Sequence, residues 1–281
     1  MSPAKVVDSH IHFWKLSNGY YTALEPHMTI LLKDHLPGDL APWLGKAGVD
    51  QIVVVEAAET VEETHFVLGL AKQYPFIAGV VGWIDLASPD IASVLRSLQS
   101  NPLYKGARPL HDDNKNIQWM NDKGNEIGFT ALADSGLSFD ALVQDFRELP
   151  CIISVAERFP GLSIILNHCG KPDIANDIFA SWASDIDRLA KHPNVACKFS
   201  GLLNQAKAGW TIQRIRPYSD HLLRCFGPER LLWGSDWPPA RLTEEYDVGW
   251  RVAHELVAHL PAADQTKIFG ENATRIYRLQ S

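Results

Sequence analysis

The residues best equipped for chemistry stand near the start of the chain, where an apolar run ends in Asp8-Ser9-His10-Ile11-His12-Phe13-Trp14. Strand side chains alternate faces, so this spacing predicts Asp8, His10 and His12 on one side and Val7, Ser9 and Ile11 on the other. Two imidazoles converging at a strand's carboxyl end can ligate a metal, donate hydrogen bonds to a substrate carbonyl or transfer a proton. A His-x-His pair alone is equally an ordinary polar strand end. What gives it meaning is the set of polar residues at equivalent places further along.

Those places follow from the elements. β-rich runs at 5–11, 51–57, 76–84, 103–109, 138–143, 162–167, 195–200 and 231–235 alternate with stretches of helical period at 39–47, 60–73, 89–99, 126–135, 145–158, 176–191, 212–226, 244–259 and from 263 onward. Helix starts have a chemical basis: Thr60 with Glu63 reads as a capping box, and Ser88 before Pro89 as a cap followed by a first-turn proline. Parallel strands require crossovers, so strand and helix repeated eight times predict an α/β fold, a single (β/α)8 TIM barrel over residues 1–281. A doubly wound open sheet lacks support because no glycine-rich phosphate loop follows the first run.

A barrel collects its catalytic groups at the carboxyl ends of its strands. There the sequence places His10 and His12, Glu56, Asp85, Arg108, His168, Lys198 on the seventh run, and Asp236 after the eighth. A joint accident of carboxylates, imidazoles and cations at equivalent ends is a poor explanation, so these positions are expected to form an active site.

Composition narrows the partners. The 281 residues, 46% hydrophobic, supply a sizeable core, and a net charge of −7 argues against an extended nucleic-acid surface. No apolar stretch reaches membrane-spanning length and no signal-peptide core precedes the first run, so a cytoplasmic protein without a membrane partner is expected. Cys151, Cys169, Cys197 and Cys225 are scattered with no C-x-x-C pair, which fits neither a disulfide framework nor a zinc knuckle. Cys169 follows His168, but neighbours on an extended segment face opposite ways, which disfavours a thiol with its base beside it.

The motifs D-S-H-I-H-F-W at 8–14, G-V-V-G-W-I-D-L at 79–86, K-G-A-R-P at 105–109, N-H-C-G-K-P-D at 167–173, C-K-F-S-G-L at 197–202, G-S-D-W-P at 234–238 and I-F-G-E-N-A-T-R-I-Y at 268–277 resemble the amidohydrolase superfamily. Within it they are most similar to the sugar-lactone hydrolases of the L-fuconolactonase and L-rhamnonolactonase kind. The chain departs from that group at Glu56, where glutamine is usual, and at His111 and Asp112, where Leu and Gln are typical; these bear on which sugar is taken.

The resemblance implies hydrolysis of a small sugar lactone to its aldonic acid. Asp236 would be the general base that takes a proton from water and returns it to the leaving ring oxygen. His10, His12 and His168 would polarise the carbonyl, or His10, His12, Glu56 and Asp236 would hold one divalent, zinc-like ion that does so. Some lactonases of this branch work without metal, so metal-independent catalysis stands beside that reading. Glu56 tips the balance towards an ion, since an unpaired anion beside neutral histidines calls for a cation. Arg108 supplies donors on the same face parity as Gly106 and Tyr104. Lys198 needs a buried anion, either Asp8 or Asp140. Lys171 and Asp173 are candidates for sugar hydroxyls or helix capping, and Trp14, Trp83 and Trp237 for packing on a sugar ring. A decarboxylase, a lactone isomerase and a catalytically silent binding barrel are the rival functions, and a homo-oligomer is compatible with the chain.

Overall fold

Eight parallel strands hydrogen-bond in chain order in a computed structural model describing residues 4–22, 24–109 and 116–280. The strands are β1 (Val7–Ile11), β2 (Gln51–Val55), β3 (Ile77–Gly82), β4 (Tyr104–Ala107), β5 (Ser138–Ala141), β6 (Ser163–Leu166), β7 (Val195–Phe199) and β8 (Leu231–Trp233). Runs such as Ile52-Val53-Val54-Val55 are apolar throughout because a parallel strand between a packed interior and a helix layer is buried on both faces. The sheet closes on itself through the segment after β8: Asp236 N–H donates to the His10 carbonyl at 2.9 Å and His12 N–H to the Trp237 carbonyl at 2.8 Å. The expected TIM barrel is the observed fold.

Helices α1 (Pro37–Ala47), α2 (Val61–Ala71), α3 (Ile91–Gln99), α4 (Glu126–Ser135), α5 (Leu149–Arg158), α6 (Ala180–Leu189), α7 (Leu202–Ala206), α8 (Ile212–Phe226), α9 (Tyr246–Val257), α10 (Ala262–Thr266) and α11 (Asn272–Ile276) follow the helical period within a few residues, except the short α7, which lies between two expected stretches. Two starts differ in detail. Thr60 caps α2 through the Glu62 amide, but Glu63 turns inward and accepts from the Ala57 amide, so the reciprocal half of the capping box is absent. Ser88 accepts from the Asp90 amide, and α3 begins beyond Pro89. Among the described residues no helix is long and apolar enough to cross a membrane.

Two cores result. An outer one lies between strands and helices, and an inner one packs Val7, Val53, Val55, Val81, Ile165 and Leu232 against Tyr277 and Leu279 from the segment that includes α11. Simple alternation fails on β1. Four residues of β1, from Asp8 to Ile11, stand opposite three of β2, from Ile52 to Val54. This bulge puts Val7 in the barrel interior and Ile11 in the outer core, and turns Asp8 to the Tyr246 hydroxyl of α9 at 3.0 Å. His10 and His12 still meet inside, but Asp8 does not share their face. A second slip, with Val80 opposite Tyr104 but Val81 opposite Gly106, leaves Tyr104 in the outer core while Arg108 enters the barrel mouth, so those two do not share a face either.

Candidate active site

His10, His12, His168 and Asp236 come together although two of them reach the site on unusual backbone. His168, Cys169, Gly170 and Lys171 have φ of 48°, 55°, 69° and 46°, a left-handed turn after β6 that brings the imidazole back over the barrel axis. Each L-residue in that region costs roughly 1–2 kcal/mol. Room for the ring depends on Gly201, whose φ is +72° and whose added Cβ would lie 2.9 Å from the His168 Cβ. Asp236 also has positive φ, 61°, a region that Asp tolerates better than most residues, and its amide and carbonyl are held by His10 and Ala240. Its Oδ1 lies 3.5 Å from His12 Nε2, 3.7 Å from His10 Nε2 and 3.8 Å from His168 Nε2.

The surroundings set the charges. Burial lowers the pKa of all three histidines, that of His10 well below the ordinary 6.5 with Lys198 assisting, and that of His168 to about 3. Burial works to raise Asp236, but His168, His12 and Arg108 outweigh it and hold the carboxyl below its ordinary value. At neutral pH the centre is therefore one carboxylate among neutral imidazoles, the charge state a general base requires.

Hydrogen-bond polarity then assigns the ring protons. Lys198 Nζ donates to His10 Nδ1 at 2.9 Å and to Asp140 Oδ2 at 2.6 Å, and the Tyr277 hydroxyl donates to the same oxygen at 2.7 Å. An ammonium at Nδ1 puts the His10 proton on Nε2, aimed at His12 Nε2 3.1 Å away. His12 Nδ1 faces the carbonyls of Val55 and Glu56 at 2.9 and 3.0 Å, so its proton is there and its Nε2 carries a lone pair. His168 Nδ1 is 3.0 Å from the Ser200 hydroxyl.

A cation was expected among His10, His12, Glu56 and Asp236. Among the described residues His10, His12 and Asp236 offer ligand atoms within 4.8 Å of one another, but Glu56 is not among them. Its Oε1 accepts from Arg108 Nε at 2.6 Å, so the cation that Glu56 called for is the guanidinium. A metal-bound histidine ordinarily gives its other N–H to an acceptor. His12 meets that condition and His10 does not, because its second nitrogen faces Lys198. The set does not fit an ion held by both histidines.

A polar chamber of about 280 Å³ opens over this centre, lined by His12, Arg108, Leu142, His168, Lys171, Gly201, Asn204, Gln205, Asp236 and Pro239. Next to it an apolar chamber of about 230 Å³ shares His12, Arg108 and Pro239 and is otherwise walled by Trp14, Tyr21, Leu24, Met28, Leu31, Ala57 and Leu242. Sequence reasoning missed Asn204 and Gln205, on the short α7, and the wall from 21 to 31, an irregular loop with no period to read.

The remaining expected contacts divide. Lys171 lines the polar chamber and also donates to Gln144 at 3.1 Å. Trp14 lines the apolar one, its indole N–H donating to the Lys33 carbonyl at 2.8 Å. Lys198 lies beneath His10 and lines neither chamber. Asp173 accepts from the Asn176 amide and side chain, capping a short helical turn away from both chambers. Trp83 and Trp237 also lie outside them; Trp237 is buried against Phe13 and His35 behind the site. His111 and Asp112 fall outside the described residues.

The chain is similar to known proteins over nearly its whole length. The L-fucono-1,5-lactonase of Burkholderia ambifaria is 37% identical, the alignment covering 97% of this chain and 95% of that protein. The L-fucono-1,5-lactonase of Burkholderia multivorans is 32% identical, with 97% and 96% covered. A crystal structure of an amidohydrolase from Burkholderia multivorans with bound zinc superposes with a TM-score of 0.93 at 31% identity, covering 99% of this chain and 100% of that one. Residues 7–279 match the amidohydrolase family, and with relatives this similar over nearly the whole length, the chain belongs to that family.

Proposed function

We propose that this chain adds water to a neutral sugar δ-lactone of the L-fucono-1,5-lactone kind, opening it to the aldonic acid. The observation that carries the reading is Asp236, a carboxylate whose Oδ1 stands 3.5–3.8 Å from three neutral imidazoles at the floor of the polar chamber. Water between this oxygen and the lactone carbonyl gives Asp236 a proton as its own oxygen bonds to the carbonyl carbon. Negative charge then grows on the carbonyl oxygen. The Arg108 guanidinium, which lines the chamber, is the donor for it. Collapse breaks the bond to the ring oxygen, which takes the proton back from Asp236. The product acid ionises and releases a proton.

Lys198 and Asp140 act through His10, fixing its proton on Nε2 and with it the hydrogen bond that orients His12 at the chamber floor. The charge balance favours neutral substrates, since Arg108 is matched by Glu56 and Lys198 by Asp140. A decarboxylase would need uncommitted cations for its acid. The relatives named as L-fucono-1,5-lactonases support the same sugar class. A pH-indicator assay over a panel of aldonolactones tests it: acid release should be fastest with L-fucono-1,5-lactone and related neutral lactones. Equal or faster opening of a lactone bearing carboxylates refutes the substrate class, and CO₂ release from an aromatic acid without lactone opening refutes the reaction.

A further inference from the structure

The apolar chamber is larger than the methyl group of a deoxy sugar needs. Its volume is about 230 Å³, whereas the group that distinguishes a 6-deoxy sugar is a methyl, comparable to a water molecule with its share of about 30 Å³. Its distinctive wall is Trp14, Leu24, Met28, Leu31 and Leu242, with the Tyr21 ring among them. Sugar hydroxyls placed there would exchange hydrogen bonds with water for contacts with carbon, at a cost of about 1–3 kcal/mol for each one left unpaired. The polar chamber, with Lys171, Asn204 and Gln205, suits hydroxyls instead.

Both chambers include His12 and Arg108, so a ring whose carbonyl meets these groups can send one substituent into each. Resting on the water-activating role given to Asp236, we infer that the enzyme also hydrolyses δ-lactones carrying a linear hydrophobic chain on the ring carbon next to the ring oxygen. The chemistry is unchanged. Water's oxygen bonds to the carbonyl carbon, the ring C–O bond breaks, and the leaving oxygen takes a proton, giving a 5-hydroxyalkanoate. The chain lies in the apolar chamber throughout.

Each methylene moved from water into such a chamber is worth a factor of about four. Apparent affinity, and with it kcat/KM, should climb by that factor per carbon from δ-hexalactone, with a methyl, to δ-nonalactone, with a butyl, about 60-fold in all. Met28→Trp narrows the chamber from a loop position outside the barrel, and the butyl-to-methyl ratio should fall at least tenfold. L-Fucono-1,5-lactone run in parallel separates this inference from the sugar assignment. A flat or falling series with the sugar lactone still opened overturns the inference alone. A rising series that Met28→Trp leaves intact overturns the location of the chain. If neither sugar nor alkyl lactones are opened, both readings fail.

Discussion

Replacing Asp236 by Asn and, separately, by Ala distinguishes the chemical contribution of this residue from its backbone contribution. Asn keeps the shape and tolerates the left-handed φ of 61°, but it cannot accept a proton from water. The loss of a general base is worth roughly 10² to 10⁴ in rate, about 3–5 kcal/mol of barrier. KM should change little, because Asn fills the same space between the histidines. Ala loses the base equally and sits less well at positive φ, by roughly 1–2 kcal/mol. In a chain of this size that separates the two melting temperatures by about 2–3 °C. The assay is acid release from L-fucono-1,5-lactone at pH 7, corrected for spontaneous opening, alongside a thermal melt of each variant. Both variants should lose the same fraction of kcat while only Ala loses further stability. A folded Asp236→Asn protein with near-normal kcat refutes the reasoning and moves the base to His168, 3.8 Å away.

Lys198→Met leaves Asp140 buried without its ammonium and should cost about 3–5 kcal/mol of stability; adding Asp140→Asn should recover much of that. If Lys198 sets the His10 proton, kcat stays down about 10² in the stable double variant, and full recovery of kcat by chemical denaturation-matched samples would leave the pair a purely structural role. Acidification acts through the buried imidazoles. His168 has a folded pKa of about 3, so below its unfolded value the unfolded chain takes a proton that the folded one refuses, and about 2 kcal/mol should be lost between pH 7 and pH 5. His10 and His12 act in the same direction, whereas Asp8, raised to about 6 by burial, and Glu63, raised well above its ordinary value by burial, bind protons first in the folded chain and offset part of that loss, two carboxyls against three imidazoles. The melting temperature should therefore fall over this interval, and a flat or rising one contradicts neutral buried imidazoles. Chelation followed by metal assay should leave the rate unchanged, because Lys198 faces the nitrogen that a metal-bound His10 would use to donate; activity that falls and returns with zinc content overturns that polarity argument.

Periodicity made the barrel and most of its strand ends legible, because a strand between two cores has few other ways to distribute apolar residues. It misplaced Asp8 and Tyr104 because a bulge adds one residue without changing composition, leaving no local mark. Glu56 looked unpaired because Arg108, its partner, lies 52 positions away. Trp237 looked available at a strand end, yet the turn carrying Asp236 packs the indole behind the site. The left-handed run at His168–Lys171 contains a single glycine, too little to signal the turn. Lys198 was readable as needing a buried anion, but the choice of Asp140 over Asp8 followed only from the bulge on β1.

The bond from Tyr277 to Asp140 spans 137 positions, and it ties the site to a segment that touches no substrate. Tyr277, Asp140, Lys198 and His10 form one line from the floor of the barrel to its reactive end. During synthesis, all eight strands can therefore have emerged while this line still lacks its first member. Proteolysis between 272 and 280 would act in the same way on the finished enzyme, silencing a centre whose own walls are untouched. Activity of this chain is in that sense a readout of whether its last helix has docked.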